Sequence, residues 1–317
     1  MNTLILNSNQ EDIMTKILTA IFLPLLLFCC GSIALAADAA SEGSMTAEQF
    51  LATLKFQKGK INLPNGIATL DLPPSFRYLD PSDSTRILVE AWGNPPGAKT
   101  LGMIFPADVS PLSENGWGVI ISYNEEGHIK DDDADSIKYD DLLKDMQAEL
   151  KDANEERKKQ GYQAMTLLGW AEAPHYDKAT HKFYWAKEYI TEGQEGPNSL
   201  NYNIRVLGRK GVLVLNAVAG MNQIDTIKSE MKNVVAFTDF TAGNAYKDFD
   251  ASSDKVAEYG LAALVAGGVA AKLGFFGKIL AFLLLFKKFV LIGIVAIGAG
   301  IYSLIGRKKK AESAEQV

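Results

Sequence analysis

The chain has 317 residues, a formal net charge of −6 and 47% apolar side chains, long enough for one large or two small domains and more apolar than a purely soluble protein. The apolar excess sits at the two ends, whereas residues 37–255 hold an excess of ten acidic charges and residues 256–317 an excess of five basic ones. A net-acidic body argues against nucleic acid as a partner, and a basic tail beside an apolar run is what the anionic lipid of a membrane attracts.

In chain order, Met14 and Lys16 precede an apolar run over residues 17–30, and Ala34-Leu35-Ala36 follows as a small-residue cleavage site. Residues 1–36 therefore read as a secretory signal peptide whose true start is Met14, and the body as exported. Cys29 and Cys30 both lie in this leader, so the mature body is expected without disulfides. Thr46 and Gln49 stand at capping-box spacing and predict a helix over residues 47–56. Alternating runs at 60–63 and 67–72, separated by Pro64-Asn65-Gly66, predict a hairpin. Asp80 before Pro81 predicts a short helix over 81–91, stopped by Gly93-Asn94-Pro95-Pro96-Gly97.

Strands are expected at 100–106 and 117–123, and a long helix at 139–160 carrying Leu142, Leu143, Met146, Leu150 and Ala153 on one face. Four further strands, 164–173, 182–190, 200–208 and 212–219, precede a helix at 222–233 and a strand at 234–239. The turns between consecutive strands are too short for crossover helices. The fold class is thus α+β, an antiparallel sheet with packed helices in an exported body, residues 37–255, followed by a C-terminal helical membrane anchor.

The anchor reading rests on residues 289–306, uncharged as far as Ile305 and followed by Arg307-Lys308-Lys309-Lys310. At 1.5 Å per residue such a helix covers roughly 25 Å, and flanking lysines can snorkel to complete the span. A single longer span through Lys287 and Lys288 would bury two ammonium groups at about 2.5–3.5 kcal/mol each. A two-span hairpin would leave the basic tail outside, against the positive-inside tendency. The expected topology is single-pass in the inner membrane of a Gram-negative-type envelope. Residues 256–286 form an interfacial helical region and residues 307–317 a cytoplasmic tail.

Four stretches resemble a bacterial family of uncharacterised membrane-anchored proteins built around a domain of unknown function. They are Pro74-Ser75-Phe76-Arg77-Tyr78-Leu79, Ala91-Trp92-Gly93-Asn94-Pro95-Pro96, Gly169-Trp170-Ala171-Glu172-Ala173-Pro174-His175-Tyr176-Asp177 and Asp254-Lys255-Val256-Ala257-Glu258-Tyr259-Gly260. The resemblance implies an anchor and an envelope location, and no activity or catalytic residue comes with it.

No nucleophile elbow, P-loop, dinucleotide fingerprint or zinc-spaced Cys/His set occurs. His175, Asp177 and His181 are the candidate catalytic residues, because a four-residue hairpin would bring both imidazoles to one end of the sheet. Asp131, Asp133 and Asp135 are the candidate metal ligands, at positions 1, 3 and 5 of a calcium-loop template. Ser136 and Leu142 occupy the template's glycine and glutamate positions, so no metal and no cofactor is expected. A solvated acidic loop feeding a helix N-terminus explains the cluster. Trp92, Trp170, Tyr184 and Trp185 read as core rather than as a cleft lining. Ala263, Gly267, Ala271, Ala296 and Gly300 follow a small-xxx-small spacing that suits self-association in lipid. The expected function is a non-catalytic binding or interaction domain facing the periplasm, with an envelope hydrolase using the His/Asp loop as the alternative.

Overall fold

A computed structural model of the chain describes residues 45–266. The expected signal peptide, membrane span and cytoplasmic tail, and the small residues Gly267, Ala271, Ala296 and Gly300, lie outside the described residues. Among those described, no helix is long and apolar enough to cross a membrane.

The body is α+β. Its main sheet has seven strands in the order β3-β4-β5-β9-β8-β7-β6, with every neighbouring pair antiparallel. These are β3 (Phe76–Leu79), β4 (Gly102–Pro106), β5 (Gly118–Asn124), β6 (Met165–Asp177), β7 (Lys182–Thr191), β8 (Ser199–Leu207) and β9 (Val212–Gly220). A small sheet joins β1 (Lys60–Asn62), β2 (Ala68–Asp71) and β10 (Thr238–Phe240). Five α-helices, α1 (Ala47–Ala52), α2 (Pro81–Arg86), α3 (Tyr139–Lys159), α4 (Ile224–Ala236) and α5 (Leu261–Ala266), complete the described fold.

The local signals act as chemistry requires. Thr46 Oγ1 accepts from the Gln49 amide at 3.2 Å while the Thr46 amide donates to Gln49 Oε1 at 2.9 Å, closing the capping box of α1. Asp80 Oδ1 accepts from the Asp83 amide at 3.0 Å and starts α2 with proline in its first turn. That helix widens into a π-turn, Ile87–Ala91, and together they fill the stretch read as one helix. Asn65 and Gly66, both with φ near +65°, turn the chain between β1 and β2.

Alternation sorts the strands between two faces. Leu200, Tyr202 and Ile204 of β8 and Leu213, Leu215 and Ala217 of β9 pack against Ile227, Met231 and Val234 of α4. On the other face Phe183 and Trp185 of β7 and Val212 and Val214 of β9 meet Met146 and Leu150 of α3 and Leu261 and Leu264 of α5. Farther along that face Met103, Phe105, Ile120 and Val218 bury Ile87, Leu88 and Trp92. A sheet covered on both sides gains from both parities of its strands, at about 25 cal/mol per Å² of apolar surface removed from water. Because Leu261 and Leu264 belong to this core, the packed body continues beyond residue 255.

The structure departs from the sequence reading in three places. β3 follows two prolines and is too short to show a period. α4 runs to Ala236 and the strand after it is Thr238–Phe240, because Ile227, Met231 and Val234 fall on one helical face and burial there overrides the strand preference of Val234 and Val235. β6 does not stop at 173 but continues through Pro174 to Asp177. It lies at the sheet edge, where proline's missing N–H costs no ladder bond.

That edge is closed at one end by α3. Asn154 Nδ2 donates to the Met165 carbonyl at 2.8 Å and its Oδ1 accepts from the Met165 amide at 2.9 Å, as a neighbouring strand would. Gln147 Nε2 donates to the Leu167 carbonyl at 3.1 Å. Covering an edge in this way blocks pairing with another chain. Replacing Asn154 by Ala should lower stability by about 1–3 kcal/mol, since two backbone groups of the strand lose their partner. Urea denaturation measures the loss, and an unchanged midpoint would refute the role given to Asn154.

Candidate functional site

The β6–β7 hairpin is closed by Lys178, Ala179, Thr180 and His181. Asp177 closes it. Its Oδ1 accepts from the Ala179 amide at 2.9 Å and its Oδ2 from the Thr180 hydroxyl at 2.7 Å. Those bonds, the Thr180 hydroxyl first, hold the Asp177 carboxyl below its usual range. His181 takes a left-handed conformation with φ +52°, uncommon for a residue other than glycine, which returns the chain into β7.

His181 meets the acidic run. Its Nδ1 lies 3.4 Å from Asp131 Oδ2 and 3.2 Å from the Tyr176 hydroxyl. Tyr176 donates to the same Asp131 oxygen at 2.8 Å, and Tyr246 Oη lies 3.2 Å from Asp131 Oδ1 and 3.0 Å from the Ile129 carbonyl. Burial alone would raise the Asp131 pKa, but the two tyrosine hydroxyls and His181 outweigh it and hold the carboxyl below 3.8. The same burial, and then the Asp131 charge, push the Tyr176 phenol far up.

An aromatic column stands behind this knot. The Tyr246 ring lies 4.0 Å from that of His181 on one side and 4.3 Å from that of His128 on the other, and His128 stacks on Phe249 at 3.9 Å. His128 is buried, and that burial lowers its pKa against the backbone bonds at Arg209 and Gly208 that raise it. Its amide donates to the Lys255 carbonyl and its carbonyl accepts from the Ala257 amide, each at 2.8 Å. The knot therefore ties the 128–133 loop, the β6–β7 hairpin, the segment around Tyr246 and the approach to α5 to one another.

The other two acids of the run have different tasks. Asp133 Oδ1 accepts from the Leu261 amide at 3.1 Å. A side chain at Gly260 would meet Asp133 Oδ2 at 2.3 Å, which explains the glycine there. Asp135 pairs with Lys178 at 2.7 Å on the surface. Among the described residues no three His, Cys, Asp or Glu side chains are placed to hold a metal ion.

His175 goes elsewhere. Two register shifts flank Glu172 in β6, and they place Glu172 across from Ala186 and His175 across from Tyr184, both on the α4 face although three residues apart. His175 stacks on Tyr184 at 4.9 Å and its Nδ1 lies 3.8 Å from Glu172 Oε1. Lys228 of α4 reaches Glu172 Oε2 at 2.9 Å. The hydrogen bonds and ring contacts of the three candidate catalytic residues thus run to three different sets of partners, although His175 and Asp177 line one groove. The pairing that does form, His181 with Asp131, joins one residue from each candidate set. Glu172, Tyr176, Tyr246 and His128 were not foreseen as site residues; only the Gly169–Asp177 stretch, quoted for its resemblance, pointed towards two of them.

Between the hairpin and the start of α3 lies an open groove of about 500 Å³, lined by Asp135, Tyr139, Pro174, His175, Tyr176 and Lys178 among others. Its lining carries two carboxylates, Asp135 and Asp177, one ammonium, an imidazole and two phenols. Such a surface can hold a polar ligand or a peptide turn through hydrogen bonds and ring contacts.

Comparison with known proteins adds the family. Residues 55–298 match the family described as "Protein of unknown function (DUF2167)". The chain belongs to that family. No curated protein matches the chain. Among solved structures, cyanobacterial PsbP (CyanoP) from Synechocystis sp. PCC 6803 is similar at 14% identity and a TM-score of 0.32, covering 65% of this chain and 99% of its own. The Saccharomyces cerevisiae Ran-binding protein Mog1p is similar at 11% identity and a TM-score of 0.32, covering 62% of this chain and all of its own (100%). At these scores neither likeness carries an argument about what a DUF2167 chain does.

Replacing Asp131 by Asn should destabilise the body by about 1–3 kcal/mol, because two tyrosine hydroxyls and an imidazole lose a charged acceptor. The folded-state pKa of Asp131 is depressed, so its contribution is complete above the unfolded value near 3.9 and disappears as pH falls through the folded value. The difference in unfolding free energy between the natural protein and D131N should therefore be constant from pH 6 to 8 and shrink below about pH 4. A difference that grew on acidification would contradict the knot.

Proposed function

We propose that this DUF2167 chain is a non-catalytic binding domain held at the periplasmic face of an inner membrane by its C-terminal segment. The observation that carries the binding reading is the fate of the candidate catalytic side chains. Asp177 is used by its own turn, His175 by Tyr184 and Glu172, and His181 by Asp131, Tyr176 and Tyr246. For a hydrolase, the imidazole should face its carboxylate through one nitrogen and a nucleophile through the other. Among the described residues both the carboxylate and the one hydroxyl bonded to His181 meet Nδ1. The groove beside Tyr139, His175 and Lys178 is the binding surface this reading favours. The signal-like leader, the uncharged run ending at Ile305 and the basic tail support the membrane placement, and the small-residue spacing supports self-association of the anchor.

Alkaline phosphatase fused after Val317 tests the topology. The reading expects an inactive fusion in intact cells, because the tail stays in the cytoplasm. An active fusion would replace the single-pass arrangement with a hairpin. The binding reading has its own test. H181A should lose stability without abolishing a cellular phenotype that Lys178→Glu, on the groove, abolishes. A phenotype lost in a folded H181A but retained in K178E would favour catalysis.

A further inference from the structure

We propose that the row of side chains running from Lys187 through Asn201 and Asn203 to Arg205, on the α3 face of the main sheet, is a binding site for a small oxyanion, a carboxylate or a phosphate. The register sets these residues side by side. Trp170 stands across from Lys187, Lys187 from Asn201, Trp185 from Asn203, and Asn203 from Asn216, all on the face that carries Phe183 and Val214. This is an interior position, with Trp185 0%, Asn201 3% and Asn203 6% exposed.

The row is rich in donors and short of acceptors. Asn203 Nδ2 donates to the Asn201 carbonyl at 3.2 Å, Arg205 donates to Asn203 Oδ1 at 3.3 Å, and Asn216 Nδ2 donates to Asn201 Oδ1 at 3.3 Å. Those bonds engage each side-chain oxygen of the row except Asn216 Oδ1. Asn201 Nδ2 and the indole nitrogens of Trp170 and Trp185 are buried with no partner. Two cations join them. Lys187 Nζ has Met146 Sδ at 3.8 Å, and the Arg205 guanidinium lies 4.9 Å from the centre of the Trp185 ring. Among the described residues neither cation pairs with a carboxylate, and burial is the first influence on Arg205.

Burial comes first for both cations. The Lys187 ammonium is pushed down to about 7 by burial and by Arg205, and burial takes Arg205 down to about 10. Two half-buried cations and three buried, unpartnered N–H groups on one face form the complement of a group that only accepts. A water molecule fits less well, because it must also place its own two protons and Asn216 Oδ1 is the one free acceptor in the row. This inference does not depend on the groove at the hairpin.

The test uses the full-length chain in detergent, titrated with sodium phosphate or sodium acetate against sodium chloride at matched ionic strength. Thermal unfolding and tryptophan fluorescence report binding. A saturable rise in Tm of at least about 3 °C is expected, with a fluorescence change following the same curve. The phosphate and acetate arms decide between the two oxyanions. Phosphate also stabilises proteins without binding, and that effect is linear and should survive in every variant. Lys187→Met should keep only the linear part. Asn201→Asp, which adds an acceptor at nearly unchanged volume, should raise the anion-free Tm and abolish the saturable response. A wild-type protein without a saturable component in either readout would overturn the proposal, as would an N201D variant that melts lower than the natural chain. If K187M does not fold, the wild-type titration and N201D decide the question.

Discussion

The burial of β8 on both faces is the constraint on which the other elements depend. A central strand of an antiparallel sheet can leave one parity to water, but here α4 covers one side and α3 with α5 covers the other. Leu200, Tyr202 and Ile204 answer the first face with apolar side chains, whereas Ser199, Asn201, Asn203 and Arg205 answer the second with polar ones. Polar groups removed from water need partners, and the row finds them partly within itself and with Asn216. The core on that face is therefore two apolar clusters with a polar interval between them.

The edge strand β6 shows a second compromise. Its first residues are closed by Asn154 and Gln147 of α3, its middle is bulged around Glu172, and its last residues lead into the Asp177 turn. Each device stops the edge from acting as a template for another chain. The bulges also turn Glu172 and His175 to the α4 face, while Tyr176 remains on the α3 face to meet Asp131 and His181. One strand thus supplies the polar corner with Lys228, the groove wall and one of the two tyrosines of the carboxylate knot.

Much of the architecture was legible in the chain because its signals are local. The Thr46/Gln49 box, the Asp80-Pro81 start and the Pro64-Asn65-Gly66 turn each act within four residues, and the structure forms all three. What was not legible depends on partners far apart in sequence. Tyr246 reaches Asp131 across 115 positions, and nothing in the composition around either residue announces the other. The alternation of β8 is no guide to its surroundings either, since Asn201, Asn203 and Arg205 have the pattern of a solvent face, yet the two asparagines are buried and Arg205 half-buried. A bulge cannot be read from period-two alternation, so the shared face of Glu172 and His175 is not legible in the sequence.

The candidate site follows the same division. Asp131, Asp133 and Asp135 read as one acidic cluster, yet they serve three tasks because the loop crosses the hairpin, the start of α5 and the surface in turn. Such residues fix segments of the body to one another. That account rests on the polar parity of β8 being interior. Amide hydrogen exchange resolved along the chain tests it most directly. The account predicts that β8 and β9 exchange at the slow, global-unfolding limit while β6 exchanges faster from Gly169 to Asp177. Amides of β8 exchanging as fast as those of the β6 edge would mean that Asn201, Asn203 and Arg205 face solvent, and would contradict it.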